Sequence, residues 1–344
     1  MAPADSGGGA PALFAGLVGQ EQAIALLTAA LTQQRLAPAY LFSGPDGVGR
    51  RLAALRFLEG VIAGPAGGAA VRRRLQEGNH PDLLWVEPTY SDKGQLVPAS
   101  QAAAAGISRK APPQLRLEQV RAVSQFLARR PVEAARCLVV IEAVEAMAEG
   151  AANALLKTLE EPGDGLLVLL SAAPERLLST IRSRCQTIPF ARLTPTLMRQ
   201  VLEHRPPDPA AVKLDTPAGD GAVNADAPRP EPPELLELAA GSPGALLQHR
   251  RQWQQLPEGL IERCTGLGPV PLEALALARD LSEALEVEQQ LWLLDWWQLH
   301  LWRQRRDHAA LERLERLRRQ LLAYVQPRLA WEVALLQLSG AVRP

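Results

Sequence analysis

The chain has 344 residues, of which 47% are apolar and 22% charged, and its 37 Lys/Arg balance its 37 Asp/Glu. At about 150 residues per domain this length favours two or three domains. A zero net charge argues against a dedicated nucleic-acid polyanion binder, which usually carries a basic surplus, though not against a local basic patch. Cys137, Cys185 and Cys264 are odd in number and far apart, which argues against a disulfide framework and a four-cysteine zinc site. No basic, apolar leader opens the sequence, and the longest strongly apolar run, Leu166 to Leu170, is far below the ~20 residues of a membrane helix. A reducing cytoplasmic compartment is expected.

Residues 1 to 12 are rich in Gly, Ala and Pro and are expected to lack order. From Val18 a helical pattern begins with Ile24, Leu27 and Leu31. Ala39-Tyr-Leu-Phe-Ser43 reads as a buried strand running into Gly44-Pro45, and Leu52, Leu55, Phe57 and Leu58 suit a following helix. Asp82 to Val86 is a second strand, and the polar, Pro-broken stretch 89 to 113 reads as a long surface loop. A helix over Leu115 to Arg130 precedes a buried strand, Cys137 to Ile141. A helix over Ala151 to Glu160 stops before Pro162, because proline disfavours helical geometry in the residue before it. Leu166 to Leu170 and Gln186 to Phe190 complete the strands. Continuous apolar strands alternating with helices imply a parallel sheet covered on both faces.

After Phe190 the character changes. Leu193 to His204 is helical, and Arg205 to Pro233 is Pro/Asp/Gly-rich with little to bury, an insertion or linker. Helical periodicity resumes at Glu234 to Arg250, interrupted by Gly241-Ser-Pro-Gly244. Leu291, Trp292, Trp296, Leu299 and Trp302 then form one apolar stripe, Leu311, Leu314, Leu317, Leu321 and Tyr324 another, and Leu329 to Leu338 a terminal helix.

Gly44-Pro-Asp-Gly47-Val-Gly49-Arg50-Arg51 fits the glycine frame of a phosphate-binding loop, between strand and helix as that motif requires. The motif's Lys and its Ser/Thr for Mg²⁺ are replaced. Arg50 keeps the charge on a wide planar fork, and Arg51 has no oxygen with which to ligate a metal. A tight turn kept for packing and a degenerate nucleotide site both remain open. Glu142 falls at the strand end where such sites hold Mg²⁺, and the next residue, where a general base would stand, is Ala143. Glu145, three residues on, reads as a solvated surface carboxylate. His80 reads as a turn residue, and Arg72-Arg-Arg74 and Arg129-Arg130 read as solvated faces more than as phosphate contacts.

The run Ala151-Ala-Asn-Ala-Leu-Leu-Lys-Thr-Leu-Glu-Glu-Pro162, followed by Leu177-Leu-Ser-Thr-Ile-Arg-Ser-Arg-Cys185, closely resembles the AAA+ clamp-loader subunits of bacterial DNA polymerase III and their eukaryotic and archaeal relatives. Leu17-Val-Gly-Gln20, Asn79-His-Pro-Asp82, Gly241-Ser-Pro-Gly244 and Pro327-Arg-Leu-Ala-Trp-Glu332 are similar to the same family. The resemblance implies an α/β AAA+ P-loop domain with a parallel sheet over 1–190, a small helical lid over 191–250 with an insertion at about 205–233, and an all-α oligomerisation collar over 251–344. It also implies a member that does not hydrolyse ATP. The P-loop Lys and Ser/Thr, the base at Ala143 and the sensor-2 arginine near Gly244 are missing, and the sensor-1 stretch Ser171-Ala-Ala173 is mostly alanine. Gly44, Gly47, Gly49, Arg50 and Glu142 would then be remnants of a nucleotide site.

In the same family the arginine of Ser183-Arg184-Cys185 reaches the ATP of a neighbouring subunit. Arg184 is therefore the expected catalytic residue in trans; an ion-paired surface arginine is the other reading. Cys185 is expected to pack as a small hydrophobe. The partners implied are ATPase subunits (gamma/tau) and a delta subunit in a hetero-pentamer, and through them the sliding clamp and primer–template DNA. No membrane partner, no cofactor of its own and no zinc are expected; Gly60 to Gly78 has none of the cysteines that build a zinc module in many relatives. A chain of this kind is a component of a DNA-directed DNA polymerase holoenzyme without autonomous ATPase activity. A motor subunit and a purely structural scaffold are the alternatives.

Overall fold

A computed structural model of the chain describes residues 12–92, 94–102, 105, 112–203, 230–304, 306–323 and 325–340. The readings over 1–11, over most of the Pro-rich stretch and at Tyr324 lie outside the described residues. Packing divides the chain into two compact units. Among the described residues, one is built on those up to Glu203 with Gly241–Gly244, and the other on those from Pro230 to Ala240 and from Ala245 to Gly340.

The first unit holds a five-stranded, all-parallel sheet: β1 (Ala39–Ser43), β2 (Leu83–Val86), β5 (Leu138–Ile141), β6 (Leu166–Ser171) and β7 (Gln186–Pro189), in the order β2-β5-β6-β1-β7. Its strands read as unbroken apolar runs because successive side chains enter opposite cores. Tyr40, Phe42, Leu138, Val140, Val168 and Leu170 face one core together with α1 (Glu21–Thr32) and α2 (Arg50–Ala63). Leu41, Val139, Ile141, Leu167 and Leu169 face the other, together with α4 (Leu117–Leu127) and α5 (Glu149–Glu160). In α4 the buried set is Val120, Val123 and Leu127, the spacing of one helical face. Helix α3 (Ala69–Gln76) packs on α2. The buried carboxylate of Glu59 ties the two by accepting from Arg56, Arg72 and the Gly68 N–H at 2.9–3.0 Å. The short helix α6 (Ser179–Arg182) and α7 (Pro195–Glu203) complete the unit.

The stretch expected to be a surface loop departs from that expectation. Thr89–Asp92 (β3) and Gln95–Pro98 (β4) pair antiparallel as a separate hairpin, turning at Gly94, whose φ of +84° suits glycine. The interruption at Gly241–Gly244 is shorter than read, because helix resumes at Pro243.

Among its described residues the second unit is helical: α8 (Glu234–Ala239), α9 (Pro243–Gln254, whose first two residues belong to the first unit), α10 (Leu260–Thr265), α11 (Pro271–Ala284), α12 (Val287–Gln304), α13 (His308–Leu322) and α14 (Pro327–Leu338). The tryptophans fill its core. Trp292, Trp296, Trp297 and Trp331 are buried, with Trp292 Nε1 donating to His249 and Trp331 Nε1 to Gln290. Trp302 is exposed.

Candidate functional site

The glycine-rich loop lies where it would in a nucleotide-binding α/β domain, at the carboxyl end of β1 between two neighbouring strands. The Gly44 N–H donates to Ser171 O of β6 at 3.1 Å, and Gly47 and Gly49 have φ of +74° and +108°, left-handed backbone that favours glycine. Gln20, buried beneath the loop, donates through Nε2 to Val48 O (3.3 Å) and Ala191 O (2.8 Å) and accepts the Ala191 N–H (2.9 Å). The loop borders a cleft of about 580 Å³ lined by Leu17, Val18, Arg50, Arg51, Glu142 and Leu193, among others.

The side chains in this cleft are turned on one another. Arg50, only 8% exposed, pairs with Asp46 of its own loop, while its Nη1 is buried without a hydrogen-bond partner. Arg51 lies over the Trp85 ring, 4.7 Å from its centroid, and its Nη1 is 2.6 Å from Glu142 Oε1. The same Glu142 oxygen accepts Trp85 Nε1 at 2.6 Å. Trp85 sits on β2, the strand paired with β5, so the partner of Glu142 comes from 57 residues away and leaves no local signal in the sequence.

The neighbouring positions follow suit. Ala143 is a non-glycine residue at φ +46°, and its methyl can take no proton. Glu145 corrects the expectation of a solvated carboxylate. It is half-buried; Oε1 accepts the Ala172 N–H at 2.9 Å and Oε2 is buried without a partner, so it stitches the end of β5 to the end of β6. Ser171, in the sensor-1 stretch, is fully buried.

Gly241–Gly244 closes on the loop from its other side. Ser242 Oγ donates to Asp46 O at 2.6 Å and the Gly244 N–H to Gly47 O at 3.0 Å. A Cβ on Gly244 would lie 2.6 Å from Gly47 Cα, so any side chain there, an arginine included, forces the loop backbone to shift. The donor set does not suit Mg²⁺-ATP. The carboxylate at the metal position is bound to a guanidinium, no hydroxyl follows the loop, and the cation that should meet phosphate is paired within the loop.

Arg184 is not among the described residues lining this cleft. It follows α6, where Ile181 is fully buried and Cys185 is half-buried, its thiol pushed up to about 12 by burial. The guanidinium lies at the surface, donating to Thr180 O at 3.0 Å and to Glu160 Oε1 at 2.8 Å. His80 is a buried turn residue whose Nδ1 accepts the Asp82 N–H. Arg72, Arg73 and Arg74 pair with Glu59, Glu77 and Glu133 and form no free basic patch. Among the described residues no group of three or more His, Cys, Asp or Glu could hold a metal ion, and no helix is long and apolar enough to cross a membrane.

Fold and site together define an α/β module with a P-loop-like turn, in which the carboxylate at the end of β5 is paired with the module's own arginine. The family model described as DNA polymerase III, delta subunit, matches residues 19–194, and the one described as cyanobacterial DNA polymerase III delta prime, C-terminal domain, matches residues 221–338. A DNA polymerase III subunit delta' of Pseudomonas aeruginosa is 31% identical over 284 residues, 79% of this chain and 74% of that protein. That of Bacillus subtilis is 34% identical over 201 residues, 57% of this chain and about half (54%) of the relative's own length. A solved DNA polymerase III gamma subunit-related protein of Thermotoga maritima covers 94% of this chain and all of its own at 17% identity, with a TM-score of 0.49. The chain belongs to the family of DNA polymerase III delta-prime subunits.

Proposed function

We propose that this chain is a non-hydrolysing subunit of a replicative clamp loader. It assembles with ATPase subunits of the gamma/tau kind and a delta subunit in a hetero-pentamer. There it supports the ATP-driven loading of a sliding clamp onto primer–template DNA in the cytoplasm. The observation that carries this reading is the Arg51–Glu142–Trp85 cluster, which pairs a protein cation with the carboxylate that a working site gives to a metal. No hydrolysis step runs through this chain's own loop, and it takes no zinc or nucleotide cofactor.

Its contribution to chemistry is Arg184. A guanidinium placed against the terminal phosphate of a neighbour's nucleotide offsets charge on the transferring group, an effect worth ~10³–10⁵ in rate in well-studied GTPases. Ile181 and Cys185 anchor the short segment that carries it, and its guanidinium is at the surface. Reconstitution of the loader with Arg184→Ala tests this: clamp- and DNA-stimulated ATPase falls with assembly intact. Unchanged ATPase would overturn the trans role.

A structural scaffold is the second reading, and one contact favours it: the Arg184 guanidinium already has a carboxylate partner, Glu160, within the chain. The same reconstitution decides between the two.

A further inference from the structure

We infer that Glu160 is the positioning residue for Arg184, fixing the direction of its guanidinium before a neighbour's triphosphate arrives; the inference rests on the trans role proposed above. Glu160 is the last residue of α5, and Arg184 lies just beyond α6, which packs on α5. The two helices share the core that contains Leu155, Leu159 and Ile181, so the backbones that carry the pair are fixed to one another. Onto that base the arginine is tied at two points: Nη1 to Thr180 O and Nη2 to Glu160 Oε1.

The tie leaves capacity to spare. A guanidinium has five N–H donors, and the two contacts use two of them. The remaining three can meet phosphate oxygens without breaking either tie, and the Arg184 side chain keeps 36% of its surface exposed. The Glu160 side chain is 53% exposed, and a pair this wet adds little to folding. Its effect is on orientation. A long side chain loses rotamer freedom before docking, and small misplacements of a group at a reacting phosphate cost rate steeply.

The experiment is a double-mutant cycle in the reconstituted loader, reading ATP turnover with clamp and primed DNA. It uses wild type, Glu160→Ala, Arg184→Ala and the double variant, with Glu160→Gln alongside. Complex assembly by gel filtration and the melting midpoint of each isolated chain are checked in parallel. Glu160→Ala is expected to lower kcat about 3- to 10-fold with KM for ATP little changed and the melting midpoint unmoved. Glu160→Gln retains most of the activity, because its amide oxygen still accepts from Nη2. In the Arg184→Ala background Glu160→Ala adds nothing. If Arg184→Ala lowers turnover but Glu160→Ala does not, or if the two losses multiply, Glu160 does not act through Arg184 and the inference fails while the trans role stands. If Arg184→Ala itself changes nothing, the trans role fails and the inference falls with it.

Discussion

Arg51 Nη1 and Glu142 Oε1 lie 2.6 Å apart across the mouth of the cleft, and Trp85 holds both: its ring lies under the guanidinium and its indole N–H bonds the same carboxylate oxygen. P-loop enzymes hold a divalent cation with a carboxylate at this strand end. Here a permanent side-chain cation sits beside it, offsetting the carboxylate's charge and occupying the oxygen that would face a metal; the guanidinium itself has no acceptor with which to ligate one.

The first expectation follows from that pair. Titration calorimetry of the isolated chain with Mg²⁺-ATP shows no magnesium-dependent binding. Restoring the motif residues by Arg50→Lys with Arg51→Thr does not produce turnover, since Ala143 supplies no base and Gly244 no arginine. Magnesium-dependent turnover by the wild-type chain would refute the inert-site account.

The closure of Gly241–Gly244 on the loop is tested by one methyl group. Gly244→Ala places a Cβ against the Gly47 backbone, which cannot rotate away, and is expected to cost ~1–3 kcal/mol in chemical denaturation. Gly150→Ala is the matched control. Nothing lies within 4 Å of its Cβ and it sits in the first turn of α5, so it is expected to be neutral or to stabilise by up to ~1 kcal/mol.

Asp82 gives a dependence on pH. Its burial pushes the carboxyl up, but the backbone N–H groups of Ala134, Val132 and Glu133, at 2.6–2.7 Å, outweigh burial and hold it below the usual aspartate range. A depressed folded-state pKa means that this stabilisation is fully present above the unfolded value of ~4 and is lost as pH falls through the folded value. Asp82→Asn removes one acceptor oxygen and is expected to cost ~1–3 kcal/mol at pH 7, and the difference from wild type should shrink below pH 4. A constant difference from pH 7 down to pH 2 would count against this role.

Glu59 does for α2 and α3 what a metal does in other small modules: one buried group gathers donors from two helices. Glu59→Gln leaves Arg56 and Arg72 without their counter-charge. The expected loss is ~2–4 kcal/mol, below the full buried-pair figure because the Arg72 side chain stays 35% exposed. A denaturant midpoint within error of wild type would show that α3 is held by its apolar face alone.

Much of the fold was legible because β1, β5 and β6 are buried on both sides, which forces uninterrupted Leu, Val and Phe. The β3–β4 hairpin was not, since Thr89–Asp92 and Gln95–Pro98 lie outside the main sheet, and their polar residues carry neither the continuous nor the alternating pattern. Of the cleft, Arg50, Arg51 and Glu142 could be placed from the glycine frame and the strand end. Their surroundings could not: Trp85 comes from a distant strand to bond Glu142, Ser242 comes from far along the chain to bond the Asp46 carbonyl, and Glu145 looks solvated until Ala172 is brought beside it. Arg184 stood out only through its motif; that Glu160 holds it is a tertiary fact.

The most direct measurement is a structure of the assembled loader with a non-hydrolysable ATP analogue and clamp. The account predicts the Arg184 guanidinium within hydrogen-bond distance of the terminal phosphate on the adjoining ATPase subunit, with Arg51 still on Glu142 and no nucleotide in this chain's own cleft. An Arg184 side chain directed into solvent, far from any neighbour's triphosphate, would contradict it.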